Sequence, residues 1–308
     1  RFQISDFPIF QMRLDRLITL GLVRPTMALT DRIRGRGKNS QQRAVPVLMY
    51  HSISDDPEPD RSAYYKTCTS PQRFREHMQT LKDEGFTTTD LISLVSQKAE
   101  DTATDGSRRV VITFDDGFED FYSEAWPVLN DFGFTATMFL PTDFIGDERC
   151  EFLGIPCLTW EEVRKLADLG ITFGSHTCSH PKLVELDQAS LESELKDSKQ
   201  SIESRLEKSV DTFAQPFAFP ATDMEYLRRY RIAVQETGFR ACVTTTVGRV
   251  KVAADKFTLS RLPVNNADDP ALLRAKLRGN YDWLRSPQRI AKKTKAWLKR
   301  RRRDTVTG

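Results

Sequence analysis

The sequence predicts an α/β fold whose parallel strands close, or nearly close, into a barrel. Apolar runs of strand length alternate with segments of helical periodicity in about seven successive units. Several of these runs end directly at polar residues, as barrel strands do at a functional rim. A length of 308 residues suits one large barrel with flanking segments. We expect a helical extension and linker over residues 1–44, the barrel over residues 45–285 and a basic tail over residues 286–308.

The first elements follow from apolar spacing and helix-start signals. In the extension, apolar residues recur among many arginines at Ile18, Leu20, Leu22 and Val23. The run 45–50 is apolar, has the length of a strand and ends at His51. Ser70 and Pro71 then provide an N-cap and a first-turn proline. The helix that they start places three apolar side chains on one face, Phe74, Met78 and Leu81.

The same alternation continues through the middle of the chain. Apolar and β-branched runs predict strands over 110–114, 134–140, 171–175, 212–215 and 241–245. Helical spacing predicts helices over 119–130, 159–169, 189–207 and 224–236. Thr159 and Glu162 have the capping-box spacing at the start of one of them. Strands that alternate with helices in this way form a parallel sheet.

Candidate functional residues follow four of the predicted strands. They are His51, the pair Asp115 and Asp116, His176, and Phe217 after Pro216. Because the carboxyl ends of all strands in a parallel barrel meet at one rim, we expect these residues to line one cleft.

An aspartate and two histidines form a candidate metal site. Asp116, His176 and His180 provide one carboxylate and two imidazoles, which suit Zn²⁺ or a similar divalent ion. Such an ion lowers the pKa of bound water toward ~7 and polarises a carbonyl group. Asp115, beside the site, could then accept the proton of that water. The pattern predicts a metal-dependent hydrolase.

A reaction that expels an amine also needs a general acid, because an amine anion is a poor leaving group. The chain has 4 histidines, and two of them are assigned to the metal. His77 lies within an amphipathic helix, where a surface or helix-packing role is expected. His51 is therefore the candidate acid, and a histidine that only forms hydrogen bonds near the rim is the alternative.

These motifs resemble those of the polysaccharide deacetylases of carbohydrate esterase family 4, which contain the NodB homology domain. The resemblance covers residues 45–264 and rests on the stretches 113–117, 175–181 and 213–217. It implies a distorted (β/α)7 TIM-like barrel that removes acetyl groups from N-acetylated sugars with a divalent metal, usually Zn²⁺. It also implies Asp115 as the catalytic base and the metal ligands Asp116, His176 and His180. The backbone N–H of Phe217 would help to stabilise the oxyanion.

Two departures from the family pattern concern the base and the acid. Many members have an arginine in the third motif that orients the base, whereas this chain has Ala-Gln at residues 214–215. Arg261 on a late strand could supply that cation, and an exposed structural arginine is the alternative. Many members also place the acid histidine late in the chain, but no histidine follows His180. The stretch 48–52 resembles a subgroup with a permuted barrel whose acid histidine lies on the first strand, which supports His51.

The cysteines and three aromatic residues leave alternatives open. Five cysteines are scattered without CxxC spacing, at Cys68, Cys150, Cys157, Cys178 and Cys242. Their odd number argues against a complete disulfide framework, so we expect reduced thiols, with a loop disulfide between Cys150 and Cys157 as the alternative. Aromatic residues that could stack on sugar faces, or pack in the core, are Trp160, Phe219 and Trp283.

The net charge of +3 is unevenly distributed, because residues 289–303 carry nine basic residues and no acidic one, which leaves −6 for the remainder. Apolar or small residues recur there at helical spacing, at Ile290, Thr294, Trp297 and Leu298. That pattern is typical of a basic amphipathic helix on an anionic membrane surface, and a solvated terminus is the alternative. No base-stacking or groove-reading motif accompanies the charge, so no nucleic-acid partner is expected.

Composition gives a weak indication of location. The chain is 39% hydrophobic and 29% charged. It has no apolar stretch of about 18 residues, the length that a membrane-spanning helix needs. We favour a cytoplasmic protein, with peripheral attachment to a membrane. The chain begins at Arg1 and not at a methionine, so a signal peptide that has been removed is the alternative.

The sequence as a whole predicts a hydrolase that removes N-acetyl groups from N-acetylhexosamine units. Its partner would be a polysaccharide, an oligosaccharide or a lipid-linked saccharide. A deformylase or another linear amidase would use the same centre, and a panel of acyl substrates separates these activities. A glycan-binding protein with a degenerate site is the alternative from a different class, and bound metal without turnover would favour it.

Overall fold

The computed structural model of the protein describes residues 14–26, 44–55, 66–96, 108–251 and 254–285. The strands of these residues are, in chain order, β1 (Ala44–Val45), β2 (Val47–Tyr50), β3 (Ser52–Ile53), β4 (Cys68–Thr69), β5 (Phe86–Thr88), β6 (Arg108–Phe114), β7 (Thr137–Leu140), β8 (Glu151–Phe152), β9 (Ile155–Pro156), β10 (Thr172–Ser175), β11 (Thr212–Ala214), β12 (Ala241–Val247), β13 (Val250–Lys251) and β14 (Leu259–Pro263).

Helices separate most of these strands. They are α1 (Leu14–Ile18), α2 (Pro71–Asp83), α3 (Leu91–Ser96), α4 (Trp126–Phe132), α5 (Trp160–Asp168), α6 (Gln188–Leu206), α7 (Met224–Glu236) and α8 (Pro270–Leu277). The predicted helix starts are confirmed where a cap marks them. The Ser70 hydroxyl accepts a hydrogen bond from the Arg73 N–H at 3.3 Å, and Thr159 and Glu162 form both bonds of a capping box.

Seven parallel strands close the barrel. β2 pairs with β6 on one side and with β14 on the other, and the ring continues through β12, β11, β10 and β7 back to β6. β5 lies outside this ring, since it pairs only with the first residues of β6. The pairing of β12 with β14 shifts register between Val243 and Val247. The closed, irregular ring confirms the predicted distorted (β/α)7 barrel.

Alternate strand residues face two apolar layers. Leu48, Ile112 and Met138 belong to the larger cluster, which also contains helix residues, so this layer lies between strands and helices. The smaller cluster fills the barrel and includes Val47, Val111, Phe139, Ala214, Val243 and Leu259. Space inside is limited, because a Cβ at Gly174 would lie 2.5 Å from the Phe139 ring. The interior is therefore a packed core, and a site can form only at the rim.

Several elements were not predicted from the sequence. They are α3, α8, β5 and the hairpin formed by β8 and β9. The helix predicted over residues 119–130 consists of a π-helical turn at Phe121–Ala125 followed by α4. The strand predicted over residues 134–140 is shorter, because only Thr137–Leu140 pairs with its neighbours.

The described part of the N-terminal extension is helical and packs on the barrel. The Tyr281 hydroxyl donates a hydrogen bond to Asp15 at 2.5 Å, and the Trp283 indole N–H donates one to Thr19 at 3.0 Å. Arg16 forms an ion pair with Asp269 at the start of α8. The predicted linker up to residue 43 and the basic tail from residue 286 lie outside the described residues.

Three further expectations can be compared with the structure. None of the five cysteines forms a disulfide, so the alternative of a disulfide between Cys150 and Cys157 is wrong. Trp160 and Phe219 are buried, which agrees with core packing, and Trp283 is half-buried against the extension. Among the described helices, none combines the length and apolar character that crossing a bilayer requires.

Candidate active site

The end of β6 presents the two aspartates at the carboxyl rim of the barrel. Asp115 and Asp116 follow the last residue of this strand directly. The φ angles of 74° at Asp116 and 65° at Gly117 turn the chain sharply through the left-handed region. A Cβ at Gly117 would lie 2.9 Å from the terminal methyl group of Ile145, and any residue with a side chain would be strained at this left-handed φ. The turn sends the two buried carboxylates to different partners.

The loop after β10 brings two histidines to Asp116. His176 follows the last residue of β10, and His180 lies one loop turn further on. The Nε2 atoms of both rings are 3.4 Å from Oδ1 of Asp116. Potential ligand atoms of the three residues all lie within 4.8 Å of one another. The residues predicted as metal ligands are therefore together.

The surroundings of Oδ1 of Asp116 show whether a metal ion fits this cluster. Among the described residues, Oδ1 of Asp116 is buried without a hydrogen-bond partner, which is costly for a carboxylate. Nδ1 of His176 lies 2.8 Å from the carbonyl of Ala214, which places its N–H there and leaves the Nε2 lone pair facing Asp116. One carboxylate and two imidazoles are the donor set of a catalytic divalent-metal site. The residues fit such an ion.

The protonation of these ligands also bears on metal binding. Burial, followed by the nearby His176, lowers the pKa of His180 to about 4, so this ring is neutral at neutral pH. Burial acts to raise the pKa of Asp116, but the His176 ring 3.4 Å away and the other nearby histidines outweigh it, so the net pKa is lowered. For His176 burial acts to lower the pKa, but Asp115 and Asp116 outweigh it and raise the pKa. A proton therefore competes with a metal mainly at His176.

Asp115 pairs with Arg261, which supplies the cation that is absent from residues 213–217. The Arg261 guanidinium donates to Oδ1 and Oδ2 of Asp115 at 2.6 and 2.7 Å, and its remaining donors reach Thr113 and the carbonyl of Thr244. Arg261 is 0% exposed, so the alternative of an exposed arginine is wrong. Burial acts to raise the pKa of Asp115, but Arg261 and then His176 outweigh it and hold the pKa well below its usual range. Asp115 is thus ionised, and its bidentate hydrogen bonds with Arg261 fix the orientation of its carboxylate group.

His51 also lies beside Asp115. It follows β2, and its Nε2 atom is 3.9 Å from Oδ2 of Asp115. The His51 side chain is 18% exposed, whereas that of Asp115 is 3% exposed. A partly open imidazole beside the rim can exchange a proton with a bound substrate and with solvent.

Phe217 forms part of the wall around the metal ligands. Its φ angle is 56°, and its side chain is 48% exposed. The centroid of the Phe217 ring lies 4.7 Å from that of the His180 ring. The ring of the buried Phe152, in the β8–β9 hairpin, also packs on His180, with 4.9 Å between the ring centroids. The Thr245 hydroxyl holds the backbone here, since it donates to the carbonyl of Phe217 at 3.1 Å and accepts from the N–H of Phe219 at 2.9 Å.

The structure adds residues that sequence reasoning missed. Phe152 was missed because its strand has only 2 residues. Glu194 of α6 contacts the loop between the two histidines through three hydrogen bonds. The signal for this hairpin in the sequence was Gly154. The turn between β8 and β9 needs left-handed residues, with φ angles of 54° at Leu153 and 77° at Gly154. The functional roles of Asp115, His51, Phe217 and Arg261 stay predictions, with their positions now known.

Comparisons with known proteins agree with this arrangement. The family model described as "Polysaccharide deacetylase" matches residues 102–242. A Bacillus subtilis protein provisionally named as the polysaccharide deacetylase YxkH is 29% identical over 233 residues, which are 74% of this chain and 74% of that protein. Poly-beta-1,6-N-acetyl-D-glucosamine N-deacetylase of Staphylococcus aureus is 27% identical over 125 residues, which are 38% of this chain and 42% of that protein.

Two solved structures share the fold. The Streptococcus pyogenes deacetylase PplD, in complex with acetate, superposes with a TM-score of 0.64 at 24% identity and covers 76% of this chain and 98% of its own. IcaB from Ammonifex degensii gives a TM-score of 0.60 at 19% identity and covers 77% of this chain and 98% of its own.

The deacetylases that these comparisons find are hydrolases that act on carbon–nitrogen bonds other than peptide bonds. The chain is similar to polysaccharide deacetylases over residues 102–242, the part that contains Asp115, Asp116, His176 and His180. Members of this family depend on a metal, and the cluster of Asp116, His176 and His180 is a possible metal site in this chain.

Proposed function

We propose that the protein removes N-acetyl groups from N-acetylhexosamine units of a polysaccharide, an oligosaccharide or a lipid-linked saccharide, with a divalent metal, preferably Zn²⁺. One observation carries this proposal. The unpartnered Oδ1 of Asp116 lies between two histidine nitrogens, directly beside a second carboxylate that is held by Arg261. The likeness to an N-deacetylase of a β-1,6-linked glucosamine polymer supports the substrate class.

Asp116, His176 and His180 would hold the metal, which supplies Lewis-acid polarisation of the acetamide carbonyl and acidification of water. Asp115 is the general base that accepts the proton of the attacking water. Arg261 keeps both Asp115 oxygens fixed, at 2.6 and 2.7 Å, so the carboxylate cannot rotate away from the water. The base is thus oriented before substrate binds.

Phe217 and His51 act on the substrate itself, Phe217 when the oxyanion forms and His51 when the amine leaves. His51, 3.9 Å from Asp115, donates the proton that the departing amine needs. The backbone N–H of Phe217 stabilises the negative charge on the carbonyl oxygen, and the hydrogen bond from Thr245 to the Phe217 carbonyl holds this loop against β12. The two departures from the family motifs are therefore compensated by Arg261 and His51, which argues against a degenerate glycan-binding protein.

Acetate release from chitooligosaccharides and from a β-1,6-linked N-acetylglucosamine oligomer tests the proposal. Asp115→Asn should lower kcat by about 10²–10⁴-fold, because it removes the base but keeps the shape of the side chain. Its Zn²⁺ affinity should stay close to that of the unsubstituted protein.

The matched control is Asp168→Asn, which changes an aspartate whose side chain is 82% exposed and should leave the rate unchanged. An Asp115→Asn protein that releases acetate at the full rate would remove Asp115 from the mechanism. Turnover of formyl but not acetyl substrates would replace the proposed deacetylase by a deformylase.

A further inference from the structure

The loop between His176 and His180 is attached to helix α6 through one side chain. The backbone N–H groups of Cys178 and Ser179 both donate to Oε2 of Glu194, at 2.8 and 3.0 Å. The Ser179 hydroxyl donates to Oε1 of Glu194 at 2.6 Å. Both carboxylate oxygens of Glu194 are therefore used by this loop.

The loop needs such an attachment because its backbone conformation is costly. Thr177 and His180 have φ angles of 72° and 55°, and neither is glycine. Residues with side chains reach this left-handed region at a cost that surrounding contacts must offset. Within the loop itself, the Thr177 hydroxyl accepts from the N–H of His180 at 3.1 Å. That bond fixes the turn, but it does not fix the turn relative to Asp116.

Two backbone N–H groups after β7, those of Thr142 and Asp143, donate to the carbonyls of Thr177 and Cys178 at 3.1 Å. Glu194 adds the connection from the other side of the loop peptides, through their N–H groups. Successive N–H groups that point at one carboxylate form a nest for an anion, and hydrogen bonds to a charged acceptor are about twice as strong as neutral ones. The carbonyl of Glu194 accepts from the Ser198 hydroxyl at 2.7 Å, and Ser198 lies 2.7 Å from the Ser175 hydroxyl at the end of β10. The loop is thus tied at both ends to the strand that carries His176.

We propose that Glu194 is a positioning residue that holds His180 in the geometry required for metal binding. It touches neither substrate nor metal and acts only through the loop 177–180. This inference rests on the metal centre of the proposed function. Removing a residue that orients a metal ligand without binding the metal typically weakens metal affinity by about 10–100-fold.

Zn²⁺ affinity of the purified full chain, measured by competition with a chromophoric chelator, tests the role without any turnover. Glu194→Ala should weaken Zn²⁺ binding by about 10–100-fold. Glu194→Gln keeps one oxygen for the two N–H groups but loses the charge, so it should weaken binding by only several-fold and partly rescue the affinity. The matched control is Glu192→Ala on the same helix, whose carboxylate is bound by Gln188, and it should leave the affinity unchanged.

The melting temperature of the metal-free variants separates positioning from general stability. A Glu194→Ala protein that is less stable but binds Zn²⁺ as tightly as the unsubstituted chain would overturn the proposal. If that variant does not fold, a Glu194→Gln protein with full Zn²⁺ affinity would overturn it in the same way. An unsubstituted chain that binds no Zn²⁺ would instead refute the metal centre of the proposed function itself.

Discussion

Two buried polar clusters of this barrel both contain histidine and aspartate but differ in how their polar atoms are paired. At the carboxyl rim, Asp116 lies 3.4 Å from the Nε2 atoms of both His176 and His180. Behind β2, His77 of α2 lies beside the ion pair of Asp268 and Lys276, whose N–O distance is 2.8 Å. The exposure of these three residues is at most 1%.

The second cluster satisfies its polar atoms within the protein. Nδ1 of His77 lies 3.1 Å from the Tyr50 hydroxyl and Nε2 lies 2.6 Å from the carbonyl of Asp268. The Lys276 ammonium group also donates to the carbonyl of Pro263 at 2.6 Å. At the rim, by contrast, Oδ1 of Asp116 has no hydrogen-bond donor among the described residues. A histidine and an aspartate that are fully paired support the fold, whereas the unpaired oxygen indicates a ligand site.

The largest expected effect is that of Asp116→Asn on metal binding. The change keeps the shape but removes the charge, and a metal–carboxylate interaction contributes several kcal/mol. We expect Zn²⁺ affinity to fall on the order of 10³-fold, since each 1.4 kcal/mol changes an affinity about tenfold. Chelator competition measures this, with Asp168→Asn as control. Unchanged affinity would mean that the unpaired oxygen has no part in metal binding.

A smaller effect of a different kind is expected for Lys276→Met. It leaves the Asp268 carboxylate buried without its cation, which should cost about 3–5 kcal/mol of unfolding free energy. Denaturant titration measures the loss, and Lys196→Met on the exposed side of α6 is the control. Zn²⁺ affinity should change by no more than about twofold, because the clusters share no residue. A large loss of metal affinity without loss of stability would contradict the division into two clusters.

The smallest effect concerns the pH dependence of stability. Burial lowers the pKa of His77 to about 4 from its ordinary value of 6.5. Between these values the unfolded chain binds the extra proton, so stability rises with pH from about 4 to 6.5 and the contribution is complete above 6.5. The contribution is about 3 kcal/mol at most, at about 1.4 kcal/mol per pH unit.

His77→Asn removes that titration. The difference in unfolding free energy between pH 7 and pH 4 should therefore be smaller for His77→Asn than for the unsubstituted chain. Thermal unfolding of both proteins at a series of pH values measures the difference. Identical pH profiles would show that His77 does not titrate as a buried neutral ring.

The sequence predicted best those elements whose signals are local. Helix α7 has the predicted bounds, because Asp223 caps it and its apolar residues recur at helical spacing. Helix α8 was missed although Asp269 and Pro270 form the same cap-and-proline signal that identified α2. The short elements α3, β5, β8 and β9 have too few residues for a periodicity to be read.

The candidate site was predictable where strand ends carry the chemistry. The sequence placed Asp115, Asp116 and His176 at one rim because each follows a strand, and the structure brings them together. It named Arg261 but could not decide between exposure and burial, since that depends on the register of β14 beside β12. Glu194 was not predictable, because on a helix of mixed polarity its spacing is that of an ordinary solvent-facing residue.

The central claim is that Asp116, His176 and His180 bind one divalent ion at the rim. Anomalous diffraction at the zinc absorption edge, from crystals of the zinc-loaded protein, tests it most directly. The account predicts a single peak within about 2.0–2.2 Å of one Asp116 oxygen and both histidine Nε2 atoms. A zinc peak elsewhere, with the Asp116 oxygen bound to a protein donor, would contradict it.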